Sequence, residues 1–278
     1  MADAPDLSVV KQVQQHIWSE GDFAMVGTMF QGVSENLCEA VDVWPGQRVL
    51  DVACGSGNTT IAAGRRFADC VGVDYVPALL ERARERAAAE RLEIEFREGD
   101  AEALPFPDAS FDVVLSTFGA MFAPDQPRTA AELLRVCRSG GRIGMGNWTP
   151  EGFVGQMFAE MKPYAAPPPA GASPPPMWGD EDHVRRLLGD RVTDLRLTRQ
   201  SLPVHHFVDP EDCRDYFKLH YGPTIAAYRA IAGDPAKVAA LDAALADLGR
   251  RFDRGNDAAI LDWEYLLVTA IRAQPTGM

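Results

Sequence analysis

The chain has 278 residues, 46% hydrophobic and 24% charged, which is enough apolar matter for a sizeable core and argues against global disorder. Its formal net charge is −13; such acidity repels phosphate backbones and anionic lipid and argues against nucleic acid or a membrane surface as partner. The five cysteines, Cys38, Cys54, Cys70, Cys137 and Cys213, are odd in number, widely spaced and contain no CxxC pair. That usage predicts a reducing, cytoplasmic setting, with neither a disulfide framework nor a zinc site. The acidic start, residues 1–6, has no apolar signal core, and no apolar run approaches the roughly 20 residues that span a bilayer.

Leu7, Val10, Val13 and Ile17 recur at helical spacing and predict an amphipathic helix over 6–18. A second short helix over 34–43 is closed by Trp44-Pro45-Gly46. Short runs rich in β-branched or large apolar residues follow at Val49–Ala53, Cys70–Asp74, Glu93–Arg97, Asp112–Ser116 and Arg142–Trp148. Helical stretches at 58–67, 77–91 and 127–138 lie between most of them, the last ended by Ser139-Gly140-Gly141 as a left-handed cap. Alternation of this kind predicts βαβ units and a parallel sheet covered on both faces.

After residue 150 the rhythm breaks. Residues 163–176 hold Pro163 and two Pro-Pro-Pro blocks, which predict a loop or polyproline spacer. A helix over 180–189, a strand over 192–207, two helices opened by Asp209-Pro210 and Asp234-Pro235, and a last strand over 260–271 complete the reading. The domain organisation expected is an N-terminal helical cover (1–45), a cofactor-binding core (46–150), and a remainder (151–278) that completes the sheet and carries a helical cap over 209–255.

Val49-Leu-Asp-Val-Ala reads as a buried strand, and Cys54-Gly-Ser-Gly-Asn58 as the turn into a helix, where glycine permits tight geometry and close approach of a ligand. No Gly-Lys-Ser/Thr follows, so the turn is not a P-loop. Asn58-Thr59-Thr60 supplies no third small residue, which counts against a dinucleotide fingerprint. Asp51 sits on the strand end, four positions before Gly55, where a carboxylate suits an ammonium group better than a pyrophosphate. Val71-Gly-Val-Asp74 is a second strand ending in an acid, of the kind that accepts hydrogen bonds from ribose hydroxyls.

Val49–Asn58 resembles motif I of the class I (Rossmann-like) S-adenosylmethionine-dependent methyltransferases, small-molecule type, although Ala53 stands where the motif's first glycine is common. The resemblance extends over about 45–150 through Asp74-Tyr75-Val76, Gly99-Asp100-Ala101-Glu102 and Phe111–Ser116, and more weakly to the final strand. It implies an α/β fold: a seven-stranded, mostly parallel sheet with helices on both faces, an antiparallel last strand, N-terminal helices and an inserted helical cap. It implies S-adenosyl-L-methionine as cofactor, held by Asp51, Ala53, Cys54, Gly55, Ser56, Gly57 and Asn58. Asp74 would then hold the ribose, with Tyr75 or Val76 against the adenine. Asp100 would accept from the adenine N6 amine and the Ala101 N–H would donate to the ring, with Glu102 beside them. Ser116, Thr117 and Phe118 would lie beside the methionine part.

A sulfonium is already a good leaving group, so few obligatory catalytic side chains are expected. Methyl transfer to a small-molecule acceptor is the expected reaction, with no metal. Trp18, Asp22, Phe23 and Met25 are placed to close over the cofactor, and Phe118, Met121 and Phe122 to line the wall near the methyl group. Asn147, Trp148, Trp178, Tyr216 and Tyr221 are candidates to face the acceptor. His205, His206 and His220 are candidate bases, because histidine titrates near neutrality. An NAD(P)-dependent oxidoreductase shares the fold and Asp74 but leaves Asp100 unexplained. A non-catalytic S-adenosylmethionine-binding regulator stays open as well, as does the choice between monomer and homodimer.

Overall fold

The computed structural model describes residues 7–165 and 172–274. Three helices come first: α1 (Ser8–Trp18), α2 (Phe23–Gly27) and α3 (Gln31–Ala40). The alternating region follows as β1 (Arg48–Val52), α4 (Asn58–Gly64), β2 (Asp69–Asp74), α5 (Pro77–Ala89), β3 (Glu95–Glu98), β4 (Phe111–Thr117), α6 (Gln126–Val136) and β5 (Cys137–Trp148). Then come α7 (Phe153–Met161), α8 (Glu181–Leu188), β6 (Val192–Val204), α9 (Pro210–His220), α10 (Gly222–Ile231), α11 (Pro235–Phe252) and β7 (Leu261–Arg272).

The seven strands form one sheet in the order β3-β2-β1-β4-β5-β7-β6. β1 to β5 are mutually parallel, and β7 runs antiparallel between β5 and β6. This is the Rossmann-like sheet expected. Its central strands are apolar on both faces because helices cover both: Leu50, Val52, Val113, Val114 and Leu115 are all fully buried. The chain winds outward from β1 to β3 and then returns to β4, so the switch in strand order falls between β1 and β4, where a parallel sheet opens a crevice at its carboxyl edge.

Aspartate caps set several helix starts. Asp125, Asp180, Asp209 and Asp234 each accept from a backbone N–H in the first turn, and Pro210 and Pro235 sit at the first turn where their missing N–H costs nothing. Three expectations are corrected. Ser139-Gly140-Gly141 is no helix cap: α6 passes directly into β5 at Cys137, and these residues lie in that strand at a register irregularity opposite Phe111/Val113. The region 209–255 holds three helices, not two, since Gly222-Pro223 restarts the chain after Tyr221. The strand before it ends at Val204, leaving His205 and His206 in the connection. Of the expected proline spacer, 166–171 lie outside the described residues, and short 3-10 turns flank them at Lys162–Tyr164 and Pro175–Gly179. Residue 6, the start of the first expected helix, is also outside them.

The N-terminal segment and the late helices lock together. Gly21 pairs with Tyr221 in an antiparallel bridge, and the Asp22 N–H donates to the His220 carbonyl at 3.1 Å. At Gly222 a Cβ would stand 2.0 Å from the Ile17 carbonyl, so nothing larger than glycine fits between α1 and α10.

Candidate active site

The carboxyl ends of β1, β2 and β4 form the floor of a cleft of about 560 Å³, part of it open to solvent. Its lining includes Asp51, Ala53, Gly55, Asp74, Thr117 and Phe118. After β1 the backbone turns through left-handed conformations at Ala53 (φ 53°), Gly55 (φ 53°) and Gly57 (φ 84°). Gly55 and Gly57 adopt these freely; an alanine there costs roughly 1–2 kcal/mol. The same conformation explains why glycine is common at the position of Ala53.

Two acids stand in this cleft. Asp74 accepts from the N–H of Gly55 at 2.8 Å and of Val76 at 2.9 Å, which fixes the turn to the end of β2. Asp51 accepts from the Thr60 hydroxyl through Oδ2 at 2.7 Å, while its Oδ1 is buried and has no partner. Burial pushes Asp51 up to about 7, with the Asp74 charge adding to it, and pushes Asp74 up to about 6. Arg86 donates to the Ser56 carbonyl and to Asn58 Oδ1, and Asn58 donates to the Gly27 carbonyl, so the turn is also tied to α2. Ser56, Cys54, Asn58 and Val76 line the cleft.

A second cavity opens beside it, lined by Lys11, Tyr75, Asp100 and Ala101 among others. Asp100 Oδ1 accepts from the Glu102 N–H at 2.8 Å, and its Oδ2 accepts from Lys11 Nζ at 2.6 Å. Lys11 also pairs with Glu102, which is buried and accepts from the Asp125 N–H. Gln14 donates to the Phe122 carbonyl at 3.1 Å and Gln15 to the Tyr75 carbonyl. Helix α1 therefore lies across this cavity, held by three polar side chains.

The third cavity is aromatic. Phe23, Phe30, Phe118 and Phe122 line both it and the first cleft. Trp148, Phe217, Tyr221 and Trp263 complete its ring walls. Phe118 has a positive φ of 53° and its ring lies face to face with Trp148, centroids 3.5 Å apart and 5° from parallel.

The expected residues thus separate into two groups. Trp18, Phe23 and Phe122 line the cleft, and Trp148 and Tyr221 line the aromatic cavity. Met25 is largely exposed, and Met121, Asn147 and Trp178 are core residues; all four lie outside the three cavities. Ser116 is a strut, donating to the Val52 carbonyl and accepting from the Ala120 N–H. Gly57 packs under the turn, against Ala83 and Phe96. Tyr216 meets the rings of His206 edge to face and of His220 at a tilt, away from the cavities, and His205 is exposed. Lys11, Phe30, Phe217 and Trp263 line cavities without having been singled out. Lys11 meets Asp100 across 89 positions of sequence, and the aromatics carry no pattern that separates cavity wall from core. Among the described residues no group of three or more His, Cys, Asp or Glu is arranged to hold a metal ion, and no helix is long and apolar enough to cross a membrane.

Sheet order, glycine turn and paired acids at the β1/β4 switch define a Rossmann-like protein with a cleft at the carboxyl edge of its sheet. Residues 50–145 match the model of a methyltransferase domain. An uncharacterized protein of Mycobacterium tuberculosis is 47% identical over 257 residues, covering 92% of this chain and 93% of that one. The demethylmenaquinone methyltransferase of Deinococcus radiodurans is 43% identical over 116 residues, 40% of this chain and 48% of its own length. Among solved structures, the YcgJ protein of Bacillus subtilis superposes with a TM-score of 0.58 at 19% identity, over 87% of this chain and 99% of that one. The chain belongs to one family with the mycobacterial protein and carries a methyltransferase domain on a fold like that of the class I S-adenosylmethionine-dependent methyltransferases.

Proposed function

We propose that this chain binds S-adenosyl-L-methionine in the cleft beneath α1 and α2 and methylates a small-molecule acceptor. The observation that carries the reading is Asp51 Oδ1, a buried carboxylate oxygen without a partner in the same cleft as Asp74. An unpaired buried carboxylate is costly, and a cationic amino group is the partner that offsets it. Asp51 would hold the amino-acid end of the cofactor, Asp74 the ribose, and Asp100 with Ala101 the adenine. The bound cofactor supplies a methyl group on a positively charged sulfur that leaves as a neutral thioether. Trp18, Phe23 and Phe122 exclude water from the reacting end, and Phe118 forms the wall between cleft and aromatic cavity.

In domain terms, residues 1–45 act as cover, 46–150 as cofactor core, and 151–278 as sheet completion and acceptor wall. The methyltransferase relative from Deinococcus radiodurans supports a small acceptor. Calorimetric titration with S-adenosylmethionine, S-adenosylhomocysteine and NADH tests the cofactor: the first two bind and NADH does not. Tight NADH binding would sink the reading. Release of S-adenosylhomocysteine in the presence of small O-, N- and C-nucleophiles separates an enzyme from a regulator.

A further inference from the structure

We propose that the aromatic cavity is the acceptor site, and that it takes an uncharged, ring-bearing molecule with an oxygen substituent. This rests on the methyl-transfer reading above. The cavity adjoins the cofactor cleft: Phe23, Phe30, Phe118 and Phe122 belong to both linings. A molecule lodged there touches the space where the methyl group is delivered.

No side chain of the lining carries a charge. Tyr221 is its one titratable group, and burial pushes the phenol up, so it is neutral at physiological pH. An ion entering this cavity loses its hydration and meets no counter-charge. Phe118 stacks on Trp148, and Trp263 stacks on Phe153 with centroids 5.5 Å apart and 1° from parallel. A flat neutral ring slots among rings that already meet stacked or edge to face. The net charge of −13 opposes anions further.

Trp263 gives the oxygen its partner. Its side chain is buried and its indole N–H has no hydrogen-bond partner. Buried donors normally find an acceptor. A hydroxyl, carbonyl or ether oxygen on the bound molecule supplies one.

The test uses the full chain. Calorimetry with S-adenosylhomocysteine comes first; if it does not bind, the methyl-transfer reading fails. The complex is then titrated with uncharged phenols and hydroxylated bicyclic rings, with quaternary aryl ammonium ions, and with aromatic carboxylates. The same sets are offered for turnover with S-adenosylmethionine. Neutral rings are expected to bind and turn over at least about tenfold better than either charged set. A preference for a charged set overturns the inference, and so does a cofactor-loaded enzyme that neither binds nor methylates any neutral ring. Trp263→Phe keeps an aromatic ring and removes the N–H. It is expected to raise KM for the oxygen-bearing ring about five- to tenfold with cofactor affinity unchanged, and an unchanged KM overturns the oxygen contact. Val154→Asp adds a charge to the lining and is expected to shift binding toward the cations. Should that variant fail to fold, Trp263→Phe and the unmodified chain still decide.

Discussion

Gly119 touches Ala53 backbone to backbone: a Cβ on Gly119 would stand 2.1 Å from the Ala53 carbonyl oxygen and 2.8 Å from its Cβ. The loop after β4 and the turn after β1 thus close on each other at the floor of the cleft. Gly119→Ala must push them apart, and cofactor affinity is expected to fall at least about tenfold, roughly 1.4 kcal/mol. The change at Ala53 runs the other way. Its φ of 53° suits glycine better than alanine, so Ala53→Gly is expected to stabilise the fold by up to about 1 kcal/mol. Thermal melts check both; a lower Tm for Ala53→Gly would mean that the lost methyl packs more than the turn strains.

Lys11 holds α1 over the second cavity through Asp100 and Glu102. One partner is partly buried and the other buried, so the pair is worth more than a surface ion pair alone. Lys11→Met removes the tie and keeps the length of the side chain. Release of S-adenosylhomocysteine is expected to quicken about three- to tenfold, with turnover at saturating cofactor little changed. Stopped-flow dilution measures it. An unchanged release rate would mean that Gln14 and Gln15 hold the helix by themselves.

The cofactor side was legible and the acceptor side was not, for a physical reason. Asp51, Gly55, Asp74 and Asp100 lie at the ends of strands or in turns just after them, so local pattern places them at one edge of a parallel sheet before any tertiary detail is known. The wall of the aromatic cavity is assembled from α2, α7, α9, β5 and β7, which meet only in the folded chain. Phe217 and Trp263 read as ordinary core because a cavity wall and a core face have the same composition. Helix α7 passed unnoticed, although Phe153, Val154, Met157 and Met161 form one buried stripe, because Pro163 and the proline blocks after it set the segment past 150 apart as loop, and the two His of 205–206 read as strand because Val204 continues into them without a break signal. Glycine misled once: Gly140 takes a left-handed φ of 73° as a helix cap would, but inside β5.

Asp51 and Asp74 tie stability to pH. Both rise from 3.8, to about 7 and about 6, because burial disfavours the charged form. The native state therefore holds these protons more tightly than the unfolded chain. Their contribution to stability is complete below about pH 4 and is lost as pH climbs through 6 and 7. For Asp51 the span is at most about 4 kcal/mol. Asp51→Asn is expected to stabilise the cofactor-free enzyme at pH 8 relative to wild type and to flatten its pH–stability curve between 5 and 8, as denaturant melts would show. A cationic amino group beside Asp51 lowers its pKa, so cofactor binding at pH 6 is expected to release protons, and Asp51→Asn to suppress that release. Calorimetry in two buffers of different ionisation enthalpy reads it. Binding without proton release in the unmodified enzyme would show that Asp51 is already ionised.

His205, His206 and His220 offer the clearest separation of stability from activity. His205 and His206 lie exposed in the connection between β6 and α9, and none of the three lines the cleft or its two neighbouring cavities. His206 and His220 pack on Tyr216, ring centroids 4.9 and 4.6 Å away. The contact that ties this segment to α2 runs from the Asp22 N–H to the His220 carbonyl, which any side chain at 220 preserves. Replacing each histidine with alanine is therefore expected to leave kcat/KM within about twofold, while His206→Ala and His220→Ala each cost about 0.5–1 kcal/mol of stability through the lost ring contact. Turnover that collapses in one variant with cofactor affinity intact would restore that histidine as the base and require the cover to open further than Trp18 and Tyr221 now allow.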